Sequence, residues 1–157
     1  MKRLVWPEDR LRLEEFLERT NAWMLRPLSE RVAMPAFAAK LLGNGVVLVA
    51  LDLELGECGI VALYCNDPID RVGFISLLAV HPQCRGRGLG QDLLLRALTE
   101  MRDEGMTRVR LQVRESNRNA INFYLSRGFR ESENDRSMEH SPETVYMEKN
   151  LLPEAGK

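Results

Sequence analysis

Hydrophobic and polar positions divide the chain into a helical front and a strand-rich centre. "RLVW" at the start reads as a short strand. Pro7 then sits near a helix start, with Glu8 and Asp9 in the first turn, where the helix dipole favours acids. Leu11, Leu13, Phe16 and Leu17 give that helix an apolar stripe. A second helical pattern runs from Ser29 to Leu42, interrupted by Pro35 and closed by Gly43. The period then shortens. "GVVLVALDL" and "CGIVALYC" are rich in β-branched residues and flank "ELGE", a hairpin turn. "GFISLLAV" reads as a third buried strand that ends at His81-Pro82, since proline cannot donate to a ladder.

Beyond it the helical period returns. In "GLGQDLLLRALTEMRDEG", Leu89, Leu93 and Ala97 form one stripe, Leu94, Leu98 and Met101 its neighbour, and Gly105 follows the end. "TRVRLQVRE" alternates as a strand, "NRNAINFYLSRGF" is a short helix stopped by Gly128, and "FRESE" and "TVYMEKNL" are two more strands around a polar loop. Two helices, then a mainly antiparallel meander with two crossing helices, predict a mixed α/β fold around one sheet. A single domain over residues 1–157 is expected.

Composition narrows the function classes. Hydrophobic residues make up 45% and charged residues 29%, as in an ordinary globular protein. A formal net charge of −1 gives no global attraction for nucleic acid or an anionic membrane, so any anion site is local. The first ten residues meet charge and proline too soon for a signal peptide, and "VVLVAL" is far short of a membrane span. Cys58, Cys65 and Cys84 make an odd count without a CxxC pair, which suits free thiols in a reducing cytoplasm. Two histidines do not support a metal centre.

One loop carries candidate chemistry. "CRGRGLG", residues 84 to 90, joins the third strand to a helix. Glycines let an anion approach backbone amides closely, and the first N–H groups of a helix lack internal partners. The loop lacks the lysine of a Walker sequence, and its glycines are spaced GxGxG rather than GxGxxG. It fits Q/R-x-x-G-x-G/A at Arg85, Gly86, Arg87, Gly88, Leu89 and Gly90. On glycine spacing alone, a tight solvated turn explains it equally well.

Context adds a resemblance. "ISLLAVHPQCRGRGLGQDLLLRAL" resembles the coenzyme A-binding strand, loop and helix of the GNAT superfamily of acyl-CoA-dependent N-acyltransferases. About 30 residues on, "LQVRESNRNAINFYLSRGF" is similar to that family's second signature, matched at Asn117, Ala120, Tyr124, Gly128 and Phe129. The two segments cover roughly a quarter of the chain, and the strand order fits the family layout across most of the rest.

The resemblance implies a GNAT-type fold, a central twisted sheet flanked by about four helices, and acetyl-CoA as co-substrate. Leu78 and Val80 would pair with the pantetheine arm, and a backbone N–H near Val80 would hold the oxyanion. Amides from Arg85 to Gly90 would receive the diphosphate. Tyr124 would protonate the departing thiolate; taken alone it reads as a core aromatic. Asn117 would contact the cofactor arm or cap its helix. The implied reaction is transfer of an acetyl group to a primary amine of a small molecule such as an amino sugar, amino acid or polyamine. A protein N-terminus and a non-catalytic acyl-CoA-binding module are the alternatives. No metal, nucleic-acid or membrane partner is implied, and a homodimer is the candidate assembly. For the general base, His81, Glu57, Asp70 and Glu115 are conceivable, because "VGFISLLAV" has no carboxylate. Trp23, Met24 and Pro27 are candidates for an acceptor wall, and Asp67 and Asp70 for attracting a cationic amine.

Overall fold

A computed structural model describes residues 1–5, 8–24, 28–30, 32–132 and 143–152. The strands are β1 (Lys2–Leu4), β2 (Val46–Asp52), β3 (Gly56–Tyr64), β4 (Val72–Val80), β5 (Arg108–Arg114), β6 (Arg130–Glu131) and β7 (Thr144–Asn150). They form one seven-stranded sheet in the order β1-β2-β3-β4-β5-β7-β6. Only β4 and β5 pair in parallel. The helix α3 (Leu89–Asp103) makes the crossover that a parallel pair requires. The remaining helices are α1 (Arg10–Thr20), α2 (Met34–Asn44) and α4 (Arg118–Leu125). No helix among the described residues is long and apolar enough to cross a membrane.

The sheet separates two hydrophobic cores. On one face, Leu93, Leu94, Ala97, Leu98 and Met101 of α3 pack with Ile121 and Tyr124 of α4 against Val61, Leu63, Leu111 and Met147. On the other, Leu13, Phe16 and Leu17 of α1 and Ala38 and Leu41 of α2 cover Val47, Val49, Ile60 and Ala62. Burying each such large apolar side chain contributes about 1.5–3 kcal/mol. Glu148 of β7 is almost fully buried and is ringed by Arg110 (3.0 Å), Arg108 (3.8 Å) and Arg130 (3.9 Å), which ties the last three strands of the sheet together.

The helical front differs from expectation in detail. Leu11 is exposed, and the buried stripe of α1 is Leu13, Phe16, Leu17 and Thr20. Asp9 precedes α1 and accepts a hydrogen bond from the Val5 N–H at 2.9 Å rather than lying in the first turn. Pro35 starts α2 instead of interrupting it. A proline in a first turn removes an amide that has no partner there anyway. Gly43 lies inside α2, and Gly45 ends it.

The strand β4 contains one residue too many. Ala62 of β3 faces Leu77, and the next residue, Leu63, faces Ile75, so Ser76 is a bulge. The inserted residue shifts the side-chain alternation by one. Ile75 and Leu78 then belong to the α3 face, and Leu77 and Ala79 to the α1–α2 face. Deleting Ser76 therefore leaves Leu77 and Ala79 on the face they already occupy, whereas Leu77→Ala, which empties a buried position of that core, is expected to cost about 2–5 kcal/mol, read as a lower midpoint in chemical denaturation.

Candidate active site

The bulge marks the place where the sheet opens. β4 pairs with β5 only from Val72↔Arg108 to Ile75↔Leu111. Past that point β4 continues to Val80 against β3, while β5 continues to Arg114 against β7. Bulges bend the strand that carries them, and here the bend accompanies the parting of two parallel strands. The result is a gap that widens toward the carboxyl ends of β4 and β5. In open α/β sheets this is where ligands bind.

Backbone groups of β4 face this gap. The His81 N–H donates to Cys58 O of β3 at 2.8 Å. Successive residues of a strand alternate sides, so the peptide groups of Val80 and Leu78 point away from β3, toward the opening. The side chains of both residues pack against the α3-face core.

The glycine loop forms the rim. Gly86 and Gly88 adopt left-handed conformations, with φ of 80° and 79°. Gly88 is the N-cap of α3 and offers no side chain to the first helical amides. Among the described residues, no acceptor is found for the amides of Gly86, Arg87, Gly88, Leu89, Gly90 and Gln91. Those donors lie at the positive end of the α3 dipole, an arrangement suited to a diphosphate. Gly90 has a different constraint. A Cβ there would meet the Phe123 ring at 3.7 Å and Val80 Cγ2 at 3.8 Å, which are ordinary contacts. The loop, the end of β4 and α4 therefore converge at Gly90. Leu89 packs with the core beneath.

The two loop arginines differ. Arg87 is exposed and lies 3.6 Å from Asp52 Oδ2 on the β2–β3 hairpin. The Asp52 carboxyl is held below its usual range, first by amides of Leu55 and Glu54 and to a smaller extent by Arg87. The polar groups of Arg85, a residue expected at the cofactor, engage the protein. Its amide donates to Pro82 O at 3.4 Å, its Nε to Val80 O at 3.2 Å, and its Nη2 to Trp23 O.

Across the gap, α4 begins at Asn117, whose Oδ1 accepts the Ala120 N–H at 3.2 Å. Asn117 is thus a helix cap, with its amide nitrogen left for other partners. Tyr124 is buried, edge-on to Phe123 and Phe129 at 5.2 Å each. Burial pushes its phenol well above the ordinary range. No protein hydrogen bond of its hydroxyl is found among the described residues. The sole sealed side-chain polar atom without a partner there is Arg127 Nε. Gly128, at φ 90°, ends the helix region, and Phe129 is core.

The acetyltransferase (GNAT) family model matches residues 10–129. The chain belongs to the GNAT family. A mycothiol acetyltransferase from Thermomonospora curvata is 36% identical over 109 residues, covering 69% of this chain and 34% of that protein. The chain thus spans about a third of the length of this curated relative. A GNAT-family acetyltransferase from Staphylococcus aureus superposes with a TM-score of 0.74 at 16% identity, over 96% of this chain and 99% of that one. The PaiA N-acetyltransferase of Thermoplasma acidophilum, solved in complex with coenzyme A, gives a TM-score of 0.65 at 20% identity, over 96% and 99%.

The four candidate bases occupy different places in this GNAT domain. Glu57 is bound by Arg12 and, at 3.1 Å, by Arg19, so both its oxygens are engaged. His81 Nδ1 accepts the Gln83 N–H at 3.0 Å. In the neutral ring the proton then resides on Nε2, which leaves no free lone pair to take one. Asp70 precedes β4, roughly 20 Å from Ser76 at strand rise, at the closed end of the gap. Asp67 belongs to the same loop, where its Oδ1 accepts the Ile69 and Asp70 amides. Glu115 is exposed at the carboxyl end of β5, beside Ser116 and Arg118. Pro27 lies outside the described residues. No local pattern in the sequence points to Phe123, and Arg127 reads there only as one of the cations, with Arg87 and Arg118, that could pair the cofactor's 3′-phosphate. Arg127 stacks on the Phe123 ring at 3.8 Å and reaches Gln91 Oε1 at 3.4 Å, bracing α4 against the first turn of α3.

The glycines make separable demands. A non-glycine residue in the left-handed region costs about 1–2 kcal/mol. Gly88→Ala is expected to weaken acetyl-CoA binding about tenfold or more, whereas Gly90→Ala should stay within about threefold, both read by titration calorimetry.

Proposed function

We propose that this domain is an acetyl-CoA-dependent N-acetyltransferase acting on a primary amine of a small molecule. The observation that carries the reading is the parting of β4 and β5 beside a run of unpaired amides at the α3 N-terminus. An open strand edge accepts an extended arm by backbone pairing, and the amides receive its diphosphate. Membership of the GNAT family supports the same cofactor. The name of the Thermomonospora curvata relative, mycothiol acetyltransferase, favours a small acceptor over a protein N-terminus.

Acetyl-CoA supplies the acetyl group as a thioester. In this reading the chain orients it rather than attacking it, because the acceptor amine is the nucleophile. Peptide groups of Leu78 and Val80 hold the arm in line, and the Val80 N–H, facing the gap, receives the carbonyl oxygen as it gains charge. The Val80 carbonyl is already occupied by Arg85, so Val80 offers the donor alone. Gly86 to Gly90 hold the diphosphate, and the Asn117 side-chain nitrogen is left to contact the arm. As the nitrogen–carbon bond forms and the carbon–sulfur bond breaks, the Tyr124 phenol passes its proton to the sulfur. The amine proton leaves through water.

Burial holds the Tyr124 proton in place, at the cost of making the phenol a weaker acid until charge develops on the sulfur beside it. A raised phenol pKa keeps the proton in place at neutral and alkaline pH, so the acid form persists where an ordinary tyrosine would lose it. The kcat profile is therefore expected to show no loss from phenol ionisation below about pH 10. Tyr124→Phe should lower kcat by about 100-fold while acetyl-CoA affinity stays within about threefold. Thiol release from acetyl-CoA, followed across a panel of amino sugars, amino acids, cysteinyl amines and peptide N-termini, measures both. Turnover restricted to the peptides would replace the small-molecule reading by protein N-terminal acetylation. Binding without turnover on any amine would leave a coenzyme A-binding module.

A further inference from the structure

We infer that Arg85 is a positioning residue that couples the cofactor loop to the wall of the acceptor site. The inference rests on the reading that this loop binds the coenzyme diphosphate. Arg85 immediately precedes the unpaired amides, but its own polar groups face the other way. Nε holds Val80 O at 3.2 Å, and Nη2 holds the carbonyl of Trp23, 62 residues earlier in the chain. A planar guanidinium can serve two acceptors in fixed directions at once, which an ammonium on a flexible stem does poorly.

Trp23 closes the 3-10 turn Asn21–Trp23 that follows α1. Carbonyls at such an end lack an intrahelical donor, and Arg85 supplies one. The Trp23 ring is packed edge-on between Phe16 (5.5 Å, 70°) and His81 (5.1 Å, 64°). His81 is itself held by the Gln83 amide within the segment leading to the loop. Trp23 and Met24 lie over the α1–α2 face of the sheet, and the gap opens beside His81 at the end of β4. An amine approaching the gap from that face meets Trp23. The guanidinium therefore joins three parts of one site: the strand that faces the arm, the loop that takes the diphosphate, and the turn that borders the acceptor.

The physical consequence is that cofactor binding reaches the acceptor wall. Diphosphate on Gly86–Gln91 fixes the loop and with it the backbone of Arg85, and the bond from its guanidinium carries that restraint to the Trp23 carbonyl. The side chain contributes little to cofactor affinity, because it points away from the amides.

Tryptophan fluorescence can follow this coupling directly. The chain has two tryptophans, so Trp6→Phe leaves Trp23 as the single reporter. Coenzyme A is expected to change Trp23 emission in that background. With Arg85→Ala the response should be lost, although calorimetry still detects coenzyme A within about threefold of the parent affinity. Arg85→Lys, which keeps the charge without the fork, should restore part of it. In steady state, Arg85→Ala should raise KM for the amine by about tenfold and KM for acetyl-CoA by less than threefold. An unchanged Trp23 response in a cofactor-binding Arg85→Ala protein would overturn the coupling, as would parallel rises in both KM values. No coenzyme A binding by the parent protein would overturn the cofactor reading itself, and the coupling with it.

Discussion

Parting β4 from β5 is the constraint on which the site depends. A continuous parallel pair would satisfy every backbone group along Ser76–Val80 and leave no room for an extended ligand arm. Ser76 prevents this by adding one residue against β3. From that residue on, β4 follows β3 and β5 follows β7. The cost is a row of peptide groups without sheet partners, and in the proposed function those are the groups a bound arm satisfies. The bulge absorbs Ser76 so that side chains on either side of it keep to their own cores, and the opening lies where that offset occurs.

In the proposed function, recognition at the rim relies on main chain. Gly86 and Gly88 turn the loop into conformations that other residues reach only with strain, and the amides that follow have no acceptor in the described protein. Charged side chains near them are engaged elsewhere. Arg87 pairs with Asp52, Arg85 with two carbonyls, and Arg127 with Phe123, Ser126 and Gln91. This division lets the loop be positioned by side chains and yet present only N–H groups to its ligand.

Local features of the site were legible in the sequence. The glycine spacing, the Asn117 cap and the helix stop at Gly128 all depend on residues a few positions apart, and the strands from β2 to β5 announced themselves by β-branched runs. Non-local features were not. "GFISLLAV" is apolar apart from Ser76 and has no alternation of polar and apolar positions, so one extra residue breaks no visible pattern. That β7 inserts between β5 and β6 is decided by pairing energy over distant segments, and nothing in "FRESE" or "TVYMEKNL" encodes it. The bond from Arg85 to Trp23 spans 62 residues and has no periodic signal. Pro35 misled because the same residue that breaks a helix interior also begins one.

The two cores meet only at the sheet, and this has a consequence for how the family could diversify. Substitutions beneath α1 and α2 reshape the side of the molecule bordered by Trp23 without entering the packing that supports the glycine loop. Substitutions beneath α3 and α4 disturb the loop itself. The central sheet thus acts as a partition between the compartment that borders Trp23 and the one that supports the glycine loop.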